Sequence, residues 1–305
     1  MELSNTPSIY PEKRRILSQI MISTDFLREL DRFTFSARKR VSSQYTGARR
    51  STKVGRGTDA YGFREYEKGD DFRTIDWRVY ARSEKLYVRQ FEEYKDMTTH
   101  ILLDVSGSMD YPPEGVKKFD FAIMLAVGFA YIVMKENEKF AISTFSNEIN
   151  ISRSGRGRIN LMETIDQLNA IQPHGKTGFW NSIDHYSSLI KSKSRVIIIS
   201  DLLVPLDDIR QALYRMGRHD LIVIQVLDPS EIELSTLGSV KLHDLETSEQ
   251  LFTDINKVLV SEHKEELDSH ISAIKTECNR LDADFFSFRT NLPIFEAIYR
   301  TIHGR

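Results

Sequence analysis

Ile101-Leu-Leu-Asp-Val-Ser-Gly-Ser-Met-Asp110 decides how this chain is read. The run Thr99–Leu103 reads as a fully buried strand, and it ends abruptly at the Asp104 carboxylate. The hydroxyls of Ser106 and Ser108 follow, and Gly107 between them lets the backbone turn sharply before the next helix. Three hard oxygen donors on one tight turn make a half-shell suited to Mg²⁺ or Mn²⁺. Open α/β sheets also bind their ligands at the carboxyl ends of buried strands. The competing reading of the same residues is a polar turn that caps the following helix.

Outward from this turn, strand and helix patterns alternate. Helices are predicted over Gly115–Glu136, Asn160–Ala170, Trp180–Lys191 and Leu206–Met216, with a long amphipathic one over Leu251–Leu281 and a proline-started one over Pro293–His303. Strands are predicted over Lys139–Phe145, Arg195–Ser200, Leu221–Leu227 and Asp284–Phe288, with a short edge strand over Glu148–Arg153. Continuous apolar strands alternating with helices imply an α/β fold whose mostly parallel sheet is covered on both faces. Residues 1–97 differ in texture, being basic, aromatic and turn-rich. They are expected to form a smaller N-terminal module, and 98–305 the sheet domain with a helix-strand-helix extension at its end.

If Asp104 begins a metal site, further oxygens should come from loops at the same sheet edge. His174-Gly-Lys-Thr-Gly-Phe179 offers the Thr177 hydroxyl just before a helix, and Val196-Ile-Ile-Ile-Ser-Asp201 is a second buried strand ending in a carboxylate. Taken singly, Thr177 and Asp201 are ordinary helix caps. In series, Asp104, Ser106, Ser108, Thr177 and Asp201 supply two carboxylates and three hydroxyls to one cation.

Composition narrows the function. The 42 Lys and Arg against 44 Asp and Glu leave a net charge of −2, so no global field favours nucleic acid or an anionic membrane. A single cysteine, Cys278, excludes an internal disulfide and a thiolate metal cluster, and points to the reducing cytoplasm. Met1–Arg15 carries prolines and charges where a signal peptide needs an apolar core, and Phe121–Met134 is too short to span a membrane.

A second stretch carries a family resemblance. Arg64-Glu65-Tyr66, Gly69-Asp70, Arg73-Thr74-Ile75-Asp76-Trp77 and Ala81-Arg82, followed by the Asp-x-Ser-x-Ser strand end, resemble the domain of unknown function 58 family. Asp-x-Ser-x-Ser itself resembles the metal-ion-dependent adhesion site of von Willebrand factor A domains. The resemblance implies a von Willebrand A-like (Rossmann-like) fold with an added N-terminal module. It also implies a partnership with MoxR-type AAA+ ATPases, as an adaptor or co-chaperone. Many relatives carry two N-terminal membrane helices, and this chain resembles the shorter type without them. The Arg, Asp and Trp residues of the signature suit ion pairs and stacked cations. Arg64, Asp70, Arg73, Asp76, Trp77 and Arg82 therefore read either as a latch between the two domains or as a recognition surface.

Three roles for the cation stay open: a bridge to a partner's Asp or Glu, a Lewis acid in a hydrolase of phosphate esters, or a structural tie. A hydrolase needs a base, and only His174 offers one. A phosphatase of the haloacid-dehalogenase type would carry Asp where Ser106 stands. A non-catalytic protein-binding role is therefore the expectation. The basic run Arg38–Arg56 reads as a solvated loop or a grip for an acidic partner, and it is poor in the aromatics that nucleic acid would need. Gly155-Arg-Gly-Arg158 and Gly175-Lys-Thr177 fall short of phosphate-loop motifs. His263 and His270, on the predicted long helix, are expected at the surface.

Overall fold

A computed structural model describes residues 26–31, 54–68, 72–92, 97–112, 115–233, 238–243 and 250–304. Two compact units are present, one drawn from residues 37–96 and the other from 97–305 together with the residues before 37. Residues 26–31 are helical and pack Leu27 and Leu30 into the core of the larger unit. Phe26 stacks on Phe295 and Asp31 pairs with Lys135 there, so the expected 1–97 module is shorter than its sequence suggests.

The smaller unit is an antiparallel pair, β1 (Val54–Glu65) and β2 (Tyr87–Glu92), irregular between Gly55 and Gly62. Helix α1 (Trp77–Ser83) lies between them in sequence. Asp76 starts it: its Oδ1 accepts from the backbone N–H groups of Arg78 at 2.9 Å and Val79 at 3.3 Å. The signature Asp is thus a helix cap, and Arg82 reaches the carbonyl of Arg78 on its own helix. Asp70 and the side chain of Arg64 lie outside the described residues, as does most of the basic run 38–56. Removing the cap in Asp76→Ala should cost about 1 kcal/mol. Asp76→Asn, which keeps an acceptor, should recover most of it in thermal melts, and an unchanged melt for Ala would refute the capping role.

In the larger unit, strands β3 (Thr98–Asp104), β4 (Lys139–Phe145), β5 (Ile149–Asn150), β6 (Arg195–Ser200), β7 (Asp220–Leu227) and β10 (Asp284–Arg289) form one sheet in the order β10-β7-β6-β3-β4-β5. All neighbours are parallel except β5, which runs antiparallel to β4. The strand order places β3 at the centre, next to the point where the winding reverses, the position at which open α/β sheets bind ligands. Alternation divides each strand between two cores: Ile101 and Leu103 face one, Leu102 the other. The first core is built on helix α2 (Lys118–Lys135), which buries residues all round. Helices α3 (Gly157–Asn169) and α8 (Ile294–His303) share that face. Gly128 lets α8 approach closely, since a Cβ there would lie 2.6 Å from Ile298 Cδ1. Helices α4 (Phe179–Leu189), α5 (Leu206–Met216) and α7 (Lys257–Arg280) cover the opposite face. A short helix, α6 (Pro229–Ile232), follows β7.

The long helix predicted over Leu251–Leu281 is corrected at its start. Gln250–Ile255 is a strand, β9, paired antiparallel with β8 (Gly238–His243). Leu251-Phe-Thr-Asp-Ile255 carries its apolar residues at 251, 252 and 255, a spacing that a helix shares, and the Asn256 side chain then caps α7 by accepting from Leu259 N–H at 2.9 Å.

Candidate metal centre

β3 and β6 are adjacent and parallel, with Leu103 opposite Ile199, so their carboxyl ends stop side by side. Asp104 and Asp201 are both almost wholly withdrawn from solvent. Asp104 Oδ1 accepts from the Ser106 backbone N–H at 2.9 Å, which folds the turn back on itself. Its Oδ2 accepts from the Ser200 hydroxyl at 2.6 Å, a bond between the two strand ends. The Ser106 and Ser108 hydroxyls lie 3.1 Å apart on the same turn.

Thr177 belongs to the loop that closes over this turn. Gly107 N–H donates to Gly175 O at 2.9 Å, and His174 N–H to Val105 O at 3.0 Å. Gly175 takes φ +82°, which favours glycine, and Gly178 sits so near Asn147 that a Cβ would meet its carbonyl oxygen at 3.0 Å. Thr177 itself is half-buried. The five predicted residues are thus carried on three adjoining segments, two of them strand ends and one a loop hydrogen-bonded to the first.

Asp201 is held differently from Asp104. Its Oδ2 accepts from Lys118 Nζ at 2.8 Å, and the same ammonium donates to Glu231 Oε1 at 2.6 Å. Lys118 is fully buried at the start of α2. The next residue, Leu202, is buried with φ +54°, an uncommon conformation for a leucine. Leu202 is fixed from both sides: its N–H donates to Ser200 Oγ at 3.0 Å, and its carbonyl lies 2.8 Å from His270 Nε2. His263, two turns earlier on α7, lies 2.7 Å from the Glu231 carbonyl. Both histidines, expected as surface residues, are therefore half-buried ties to the loops behind the site.

Ser200, Lys118 and Glu231 were not among the predicted residues. Ser200 was hidden beside the more conspicuous Asp201. Lys118 did leave a signal: a cation leading an apolar helix opposes the helix dipole and calls for an acid partner. Glu231, on a separate turn, gave none.

Burial pushes the Asp104 carboxyl up to about 7, and the charge of Asp201 pushes the same way, against the bonds from Ser200 and Ser106. Two carboxylates thus share a buried site in which the ammonium of Lys118 serves Asp201 and leaves Asp104 with hydroxyl and amide donors only. Among the described residues, no group of three or more His, Cys, Asp or Glu is placed to hold a metal by itself. The donor set is two carboxylates supplemented by hydroxyls, an all-oxygen set that fits Mg²⁺ or Mn²⁺ with water completing the shell.

The chain is similar to several known proteins. The uncharacterized protein Rv1480 of Mycobacterium tuberculosis (strain ATCC 25618 / H37Rv) is 25% identical over 255 residues, covering 82% of this chain and 80% of its own length. The uncharacterized protein MAV169 of Mycobacterium avium is 27% identical over 159 residues, 50% of this chain and 92% of its own. Among solved structures, the conserved hypothetical protein BatB of Bacteroides thetaiotaomicron aligns with a TM-score of 0.41 at 14% identity, over 68% of this chain and 98% of that one. The vWF domain of the type V pili tip protein Mfa5 of Porphyromonas gingivalis aligns with a TM-score of 0.36 at 12% identity, over 68% and 94%. The central sheet is mostly parallel, with β5 as its one antiparallel strand, in an α/β fold. Protein of unknown function DUF58 is the family model that matches, from residue 62 to 270, well over half of the chain, and the chain belongs to that family.

Proposed function

We propose that the protein is a metal-dependent protein-binding adaptor or co-chaperone that works in the cytoplasm with an AAA+ ATPase of the MoxR type. One observation carries the metal-binding part: the buried Asp104–Asp201 pair, with the Ser106 and Ser108 hydroxyls beside it, has no positive charge paired with Asp104 among the described residues. Asp104, Ser106 and Ser108 would hold Mg²⁺ or Mn²⁺, with Thr177 and Asp201 contributing directly or through water. The bound cation would supply an electrophilic position for a carboxylate from outside the chain. The chain's own part is to orient these oxygens, through the Ser200 bond to Asp104 and the Lys118 bond to Asp201.

The partnership with the ATPase rests on the family resemblance. A binding role is favoured over hydrolysis because His174, the candidate base, is exposed with its Nδ1 2.8 Å from the Gln172 carbonyl. Among the described residues no helix is long and apolar enough to cross a membrane.

Purified protein mixed with such an ATPase should form a complex in Mg²⁺ that a chelator weakens. Moderate salt should weaken it less, since a metal–carboxylate bond is screened less than surface charge. A complex indifferent to chelator, or a phosphatase activity that tracks the same site, would overturn the reading.

A further inference from the structure

Lys118 is fully buried and its ammonium is shared by two carboxylates. An ammonium taken wholly out of water is costly, and at a helix N-terminus it also opposes the helix dipole. Burial works against its charge, yet Asp201 and Glu231 outweigh that and hold its pKa above the usual lysine value. Glu231 comes from the turn 228–233, which is strongly fastened. Its Oε2 accepts from Asp228 N–H at 2.8 Å, while the Asp228 side chain accepts from Ser230 N–H at 2.9 Å and from the Thr290 hydroxyl at 2.8 Å. The Tyr111 hydroxyl, just beyond the Asp104–Ser108 turn, meets Ser230 Oγ at 2.8 Å. One edge of the candidate metal centre is therefore an ion triad, Asp201–Lys118–Glu231, whose last member belongs to another element.

We propose that Lys118 and Glu231 set the affinity of the site for a divalent cation, with the docked 228–233 turn keeping the lysine charge neutralised. The proposal rests on the metal-binding reading above. With all three carboxylates ionised, Asp104, Asp201 and Glu231 against one ammonium leave two negative charges, the complement of a divalent ion. If Glu231 is lost, the unbalanced ammonium remains on Asp201 and repels an incoming cation. If Lys118 is lost, three carboxylates face the site and attract it more strongly.

The two single variants break the same ion pair, so a role confined to holding the fold would shift both in one direction. Charge balance shifts them in opposite directions. In calorimetric titration of the full chain with MnCl₂ at pH 8, Lys118→Met should bind about tenfold tighter and Glu231→Gln about tenfold weaker, as expected for a unit charge in a partly screened interior. Both should melt lower than wild type in chelator, and the double variant should return to within about threefold of wild-type affinity. If Lys118→Met does not fold, Glu231→Asp carries the test: the retained charge should keep it within about threefold of wild type, whereas Glu231→Gln falls tenfold. Both Lys118→Met and Glu231→Gln weakened, or both unchanged, would overturn the proposal while leaving a metal-binding wild type intact. Wild type and Lys118→Met both failing to bind Mn²⁺ would instead bring down the metal reading itself, and this inference with it.

Discussion

Asp104→Asn is expected to abolish Mn²⁺ binding and, at the same time, to raise the melting temperature of the metal-free protein at pH 8. The two effects have one cause. Asp104 is buried, and above pH 7 its ionised form is held in place by a hydroxyl and an amide rather than by an opposite charge. Asn keeps the shape, accepts the Ser106 N–H through its oxygen and donates from its amide nitrogen to Ser200 Oγ, so both bonds survive without the desolvated charge. The same change removes the charged member of the half-shell, which hydroxyls cannot replace. Asp104→Ala would lose the cation as well, but would leave the Ser106 and Ser200 donors unpaired and so melt lower. Calorimetry gives the affinity and circular dichroism the melt. An Asn variant that still binds Mn²⁺ would dispose of the site, and one that melts far below wild type would show that the Asp104 charge is stabilising.

The stabilisation that Mn²⁺ confers should grow steeply between pH 5.5 and 7.5 and then level off. Asp104 binds a cation as carboxylate, so below its folded value of about 7 a proton must be displaced. Apparent affinity should fall about tenfold per pH unit there. In the metal-free protein the sign is the reverse. An Asp that titrates near 3.8 when unfolded and about 7 when folded binds more protons in the folded state, so stability falls as pH rises through that window and is flat above it. Two histidines oppose this trend. Burial lowers His100 and His219 to about 4 in the folded state, so their contribution is full above 6.5 and lost as pH falls toward 4. They are common to both forms, and the difference between melts in Mn²⁺ and in chelator cancels them. A difference that does not vary with pH would mean that the cation displaces no proton from Asp104.

The main sheet was readable because buried parallel strands announce themselves: Arg195–Ser200 and Asp220–Leu227 carry short runs rich in Val and Ile, too brief for a helix. The hairpin β8–β9 was missed because Leu251–Ile255 continues the apolar spacing of α7 backwards, and only the cap at Asn256 separates them. Within the site, motif order exposed the ligands but not the groups that orient them. Ser200, Lys118 and Glu231 act through pairings across the fold, and a linear pattern holds no trace of which acid meets a buried lysine. His263 and His270 misled for a related reason, since their spacing describes one helix face and says nothing of the loops that the face covers.

The hydrogen bond from Ser200 to Asp104 joins residues 96 positions apart. Neither half of the site exists as a binding surface until β3 and β6 have paired, a closure over a long stretch of chain. A cation would therefore have no foothold on the disordered polypeptide and would engage only the finished sheet edge. Its kinetic signature is a slower escape from the native state, with the rate of reaching that state left nearly untouched.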